Sequence, residues 1–213
     1  MPGHDGISSV TEILAPWADF SHIDPAVLAH AAERGTKLHD YVAAHLLGEW
    51  IPRVEAEVVP YFDSFKRWAD MVEDVVSVER EYVCDCFGYL GHVDAVLRLK
   101  GDSGLTLIDW KSPILESKTW PLQIAGGYWH LVEKHSVPPL PVELQRCGAI
   151  QCRKDGKVAR MREYTGNVPN ATRAFLGAAS VHNYLKERDV GRERGMARPG
   201  QARPGAAGRG AER

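Results

Sequence analysis

Apolar positions change their period several times along this chain, and each change marks an element. Ile7 to Leu14 predicts a short helix entered through Ser8 or Ser9, with Ser9 and Glu12 spaced as a capping box and Trp17 and Phe20 packing it onto the body. Asp24-Pro25 then supplies a cap and a first-turn proline. Leu28, Ala31, Ala32, Leu38, Val42 and Leu46 follow as a helical stripe. A further helix is expected over 55–73, with Tyr61, Phe65, Trp68 and Val72 facing inward. From Val75 the period shortens towards two. Val75–Val83, the run after Gly88 carrying Val93, Val96, Leu97 and Leu99, and Leu105–Lys111 read as strands, with Lys100–Gly104 as a turn. Ser112-Pro113 ends the third strand, and Glu116–Lys118 is a polar loop. A helix opens at Trp120-Pro121 and runs to about Lys134. Two strands about Lys154-Asp155-Gly156 form a hairpin. A last helix ends near Lys186, with Ala174, Phe175, Ala178, Val181 and Leu185 on one side.

Alternation sets Leu107, Asp109 and Lys111 on one strand face, with Ile108 and Trp110 on the other. Asp94 stands among apolar residues on the preceding strand. Two acids and a lysine on adjacent buried strands are costly to desolvate unless something pairs them. A divalent cation held by the two aspartates would offset that cost. Gly35 inside a helix costs about 1 kcal/mol against alanine, so it calls for a close approach by a backbone or a ligand. His39 lies one turn beyond, on the same face.

Composition limits the choices. The chain has 213 residues, 44% hydrophobic and 25% charged, which suits one α/β domain over 1–187 with a core of its own. It has no apolar run long enough for a membrane span, and its first residues lack a secretory signal, so a cytoplasmic protein is the expectation. Residues 188–213 carry seven arginines against three acids, a net +4, which leaves −6 for the rest. Their Gly, Ala and Pro content predicts a disordered basic tail, read either as a clamp on nucleic-acid backbone or as a solvated end. Cys84, Cys86, Cys147 and Cys152 read as reduced, partly buried thiols, with a metal site as the alternative.

Asp94 after a glycine-rich bend, followed by an apolar strand ending Asp109-Trp110-Lys111-Ser112, resembles the PD-(D/E)XK nuclease superfamily in its RecB-like and phage exonuclease branch. Gly35/His39, Glu79 and Gln123 fall in the matching order. The resemblance implies a restriction-endonuclease-like core: a central mixed sheet flanked by helices, with extra N-terminal helices and a C-terminal hairpin and helix shaping a DNA channel. It implies Mg²⁺ or Mn²⁺ bound by Asp94, Asp109, the Trp110 carbonyl and His39. Lys111, Gln123 and Glu79 would complete the catalytic set, with Glu81 as an alternative to Glu79. The family places a tyrosine four residues after the glutamine, whereas Tyr128 here follows Gln123 by five. Five residues on a regular helix turn it to another face, unless Gly126-Gly127 marks a bulge. The two-and-two cysteine spacing departs from the iron–sulfur pattern of some relatives. The implied activity is metal-dependent hydrolysis of DNA phosphodiester bonds, as an exonuclease of phage or prophage recombination or repair; oligomers are known in that branch. Two other classes stand beside it: a nucleic-acid-binding recombination module that keeps the fold without cleaving, and a structural α/β protein in which Asp94, Asp109 and Lys111 only pair.

Overall fold

The structure, a computed structural model, describes residues 6–51, 53–112 and 117–196. A six-stranded mixed sheet runs through the middle, with helices on both faces. The strands are β1 (Ser8–Ser9), β2 (Val72–Cys84), β3 (Tyr89–Leu99), β4 (Leu105–Lys111), β5 (Leu144–Gln151) and β6 (Arg160–Glu163). β2 pairs antiparallel along the whole of β3. The other edge of β3 is shared by β1, parallel at Tyr89 and Leu90, and by β4, antiparallel at Ala95–Leu97. β5 lies parallel to β4, and β6 returns antiparallel beside it.

One face of the sheet is covered by α1 (Val10–Leu14), by a π-helix (Leu122–Tyr128) that runs into α4 (Trp129–His135), and by α5 (Val168–Met196). The opposite face is covered by α2 (Pro25–Leu46) and α3 (Val59–Ala69). The expected caps form. Ser9 and Glu12 close a capping box on α1, and the Asp24 carboxylate accepts from Ala26 N ahead of Pro25. Tyr61, Phe65 and Trp68 of α3 are buried as their spacing predicts, but Val72 has left the helix and begins β2. Phe65 and Trp68 meet the Trp110 ring edge-on at 5.2 and 5.6 Å, which fixes the end of β4 against this layer.

Several expectations fail for identifiable reasons. Trp17 and Phe20 remain 46% and 43% exposed, because Val10, Ile13 and Leu14 already fill the space under α1. Only the C-terminal half of α2 reaches the core, through Leu38 and Val42. α5 packs through Ala171, Phe175 and Ala179, not through Val181 and Leu185, which are exposed. Small residues face inward because α5 crosses the π-helix at close range. A Cβ on Gly126 would meet the Ala171 carbonyl at 2.7 Å, and one on Gly127 would meet Val10 at 2.9 Å.

α5 also continues to Met196, past the end expected near Lys186, so residues 188–196 are helical where the sequence suggests disorder. Once the docked turns have nucleated the helix, each further residue adds a hydrogen bond at low cost. The remainder of the basic tail, and Glu116 of the expected loop, lie outside the described residues. Among the described residues no helix is long and apolar enough to cross a membrane.

Candidate active site

Three acidic residues lie abreast across three neighbouring strands. The pairs Val78↔Ala95 and Arg80↔Val93 set Glu79 opposite Asp94. The β3–β4 ladder ends at Ala95↔Ile108, and extending it one step sets Asp109 on the other side of Asp94. Like charges directly opposite on paired strands are destabilising, and two at 4 Å repel by about 4 kcal/mol at an effective dielectric of about 20. The backbone yields at this row. Glu79 adopts φ 45°, the left-handed region that side chains rarely occupy. On β3 the pleat changes face: Tyr89 and Val93 belong to the core layer of α5, whereas Ala95, Leu97 and Leu99 belong to that of α3. Beyond the end of the ladder the Asp94 carboxylate, not a backbone carbonyl, accepts the Trp110 N–H at 2.7 Å.

Cationic and polar groups close around the row from both faces. His39 of α2 brings Nδ1 to 3.5 Å from both a Glu79 and an Asp94 carboxylate oxygen, and its Nε2 lies 3.0 Å from the Trp110 carbonyl. Ligand atoms of His39, Glu79 and Asp94 all lie within 4.8 Å of one another. On the opposite face Lys111 Nζ pairs with Asp109 Oδ2 at 2.6 Å and lies 5.7 Å from the centre of the Trp120 ring. Gln123 Nε2 donates to Asp109 Oδ1 at 3.3 Å and to Tyr128 Oη at 3.0 Å.

The five-residue interval between Gln123 and Tyr128 is thereby explained. The helix from Leu122 to Tyr128 is wound as a π-helix, whose i→i+5 repeat returns positions 123 and 128 to one side. Gly126-Gly127, the one sequence signal for this, lets α5 press against the wider turn. Thr172 Oγ1 donates to the Ala125 carbonyl there.

The structure brings His39, Glu79, Asp94, Asp109, the Trp110 carbonyl, Lys111 and Gln123 into one cluster. Of the two candidate glutamates, Glu79 joins this cluster, while Glu81 lies beside His92 at 3.4 Å. Glu79 also joins His39 and Asp94 as a possible metal ligand, while Asp109 faces Lys111 and Gln123. Gly35 differs from expectation. No atom outside its own helix lies within 4 Å of a Cβ built on it, so it borders open space one turn before His39.

The electrostatics reflect the crowding. Burial, reinforced by the Asp109 charge, pushes the Asp94 carboxyl up to about 7 against the pull of His39 and Lys111. Burial opposes charge on His39, but Asp94 and the hydrogen bond with Glu79 outweigh it and raise the imidazole to about 9. Burial likewise opposes charge on Lys111, and Asp109 and Asp94 hold its ammonium above the usual value. Burial and the same two acids raise the Tyr128 phenol, so it stays a hydrogen-bond donor.

Oxygen ligands with one imidazole suit Mg²⁺ or Mn²⁺. Carboxylates brought together at the expense of a strained backbone fit such an ion better than they fit each other. No protein-family model matches the chain, and no curated protein matches it in sequence.

Two outcomes follow for the metal-free protein. Asp94 and His39 both bind protons more tightly when folded, so their contribution to stability is greatest at acid pH. It is lost as pH rises from about 4 through 7 for Asp94, and from about 6.5 through 9 for His39. Thermal melts in chelator across this range should fall with pH, and added Mn²⁺ should recover most at the alkaline end. Glu79→Gly should raise the stability of the metal-free protein by about 1 kcal/mol. The strain it relieves, about 1–3 kcal/mol, together with the repulsion it removes from Asp94, outweighs the ~0.5–1 kcal/mol of added backbone entropy and the lost His39 contact. Urea denaturation measures this, and the same variant should lose its response to Mn²⁺.

Proposed function

We propose that this chain is a metal-dependent nuclease with a restriction-endonuclease-like core of the PD-(D/E)XK type, hydrolysing DNA phosphodiester bonds. The observation that carries the reading is the acidic row itself: Glu79, Asp94 and Asp109 side by side at the fork of β3 and β4, with Lys111 against the last of them. A purely structural role accounts poorly for it, because a row of like charges and a left-handed glutamate both reduce stability.

His39, Glu79 and Asp94 would hold Mg²⁺ or Mn²⁺, with Asp109 and the Trp110 carbonyl on the adjoining strand. When bound, such an ion polarises a phosphoryl oxygen and lowers the pKa of a bound water. The chain's own groups do the rest. Lys111, kept protonated by two carboxylates, donates to the phosphate or orients the attacking water and offsets the negative charge that builds up on phosphorus. Its raised pKa makes it a poor general base. Gln123 spends both its observed hydrogen bonds on Asp109 and Tyr128, which fixes the angle of each. Because the Tyr128 oxygen accepts from Gln123, its own proton is free to reach a phosphate oxygen. Trp110, wedged against Phe65 and Trp68, holds Asp109 and Lys111 in place from the far side of the strand.

Digestion of end-labelled linear duplex, circular duplex and single-stranded DNA in Mg²⁺ or Mn²⁺ tests this. Cleavage should occur, and it should fall by about 10²-fold or more in Lys111→Ala and Asp109→Ala while circular dichroism stays native. Loss of linear DNA alone defines an exonuclease, and cutting of circles an endonuclease. Full activity in either variant removes these residues from the mechanism. DNA binding without cleavage of any substrate would replace the nuclease by the non-cleaving binding module.

A further inference from the structure

The acidic row leaves one cluster of ligand-bearing side chains unused. β2 ends at Cys84, the turn that follows carries Cys86, and α4 ends at His135. The two sulfurs are 3.2 Å apart, in hydrogen-bond contact with no disulfide between them, and both cysteines are free thiols. An imidazole nitrogen of His135 lies within 4.8 Å of both sulfurs. His135 Nε2 is itself buried and has no hydrogen-bond partner among the described residues, although buried polar atoms are ordinarily paired. The neighbouring His130 is not competing for the same place: its Nδ1 is 2.6 Å from the Tyr89 hydroxyl, and its ring lies 5.5 Å from that of His135.

We infer that Cys84, Cys86 and His135 form a Zn²⁺ site. Two thiolates and an imidazole are the donor set that borderline-soft, tetrahedral Zn²⁺ takes, in contrast to the oxygen-rich acidic row that suits Mg²⁺ or Mn²⁺. Bonds of about 2.3 Å to sulfur place two thiolates of a tetrahedral site about 3.8 Å apart. The present 3.2 Å separation needs only a small adjustment, and Cys86 sits in an exposed turn where that is easily made. On binding, each thiol releases its proton to solvent, two protons per ion, and the metal gains two thiolates. Cys86 is exposed, so the fourth position opens to water. The ion fastens the β2–β3 turn to the end of α4. That helix continues directly from the π-helix bearing Gln123 and Tyr128, so the clip anchors those two from a distance. The inference does not depend on the nuclease reading.

The test is a Co²⁺ titration of the full chain, reduced and stripped with chelator, in excess Mg²⁺. One equivalent should bind with the near-ultraviolet charge-transfer band of a cobalt thiolate and the visible bands of a tetrahedral ion. Zn²⁺ should displace it. Cys86→Ser, a change at an exposed turn, and His135→Ala should each abolish the thiolate band with far-ultraviolet circular dichroism unchanged. Asp94→Asn should keep it, which separates this site from the acidic row. Absence of the band in the native chain, or its persistence in both cluster variants, overturns the assignment.

Discussion

The rest of the site depends on a row of three carboxylates that the sheet cannot avoid bringing together. Glu79, Asp94 and Asp109 are neighbours because β2, β3 and β4 pair in the register their apolar residues dictate. A one-residue slip would turn Val96, Leu107 and Ile108 out of their core layers, so the acids stay abreast even though they repel. Three local irregularities fall at that row. Glu79 takes a positive φ, β3 changes face, and the Asp94 side chain, not the β3 backbone, accepts the Trp110 N–H. His39 and Lys111 then approach from opposite faces of the sheet as the cations nearest the row.

Two layers of helix hold this arrangement for different reasons. The α2–α3 layer supplies mass: Phe65 and Trp68 clamp Trp110, and Leu38 and Val42 seat α2 so that His39 points at the acids. The opposite layer supplies shape. The π-helix widens one turn so that Gln123 and Tyr128 meet over Asp109, and α5 follows the bare backbone of Gly126 and Gly127 through its small residues. Neither layer can substitute for the other, because one positions His39 and the other positions Gln123 and Tyr128.

Much of this was legible in the residue pattern. The cap of α1, the Asp-Pro entry to α2, the inward face of α3 and the shared face of Asp109 and Lys111 all follow from periodicity and capping chemistry. His39, Glu79 and Gln123 came from a family resemblance, and geometry brings them to the same row. What escaped is what departs from regular periods. A 3.6-residue helix puts Tyr128 off the site, and a strict two-residue pleat does not anticipate the reversal at Asp94. Side-chain size alone suggests Val181 and Leu185 for the buried face of α5, while close helix packing selects Ala171 and Ala179. The meeting of Cys84 and Cys86 with His135 joins a strand end to a helix end, and no local spacing reports it.

We propose that the acidic row holds a divalent cation, and anomalous diffraction from crystals grown with Mn²⁺ would locate it. A strong peak is expected among His39, Glu79 and Asp94, with Lys111 still against Asp109. A saturating Mn²⁺ concentration that leaves that position empty, with Glu79 and Asp94 contacting only protein cations, would contradict it.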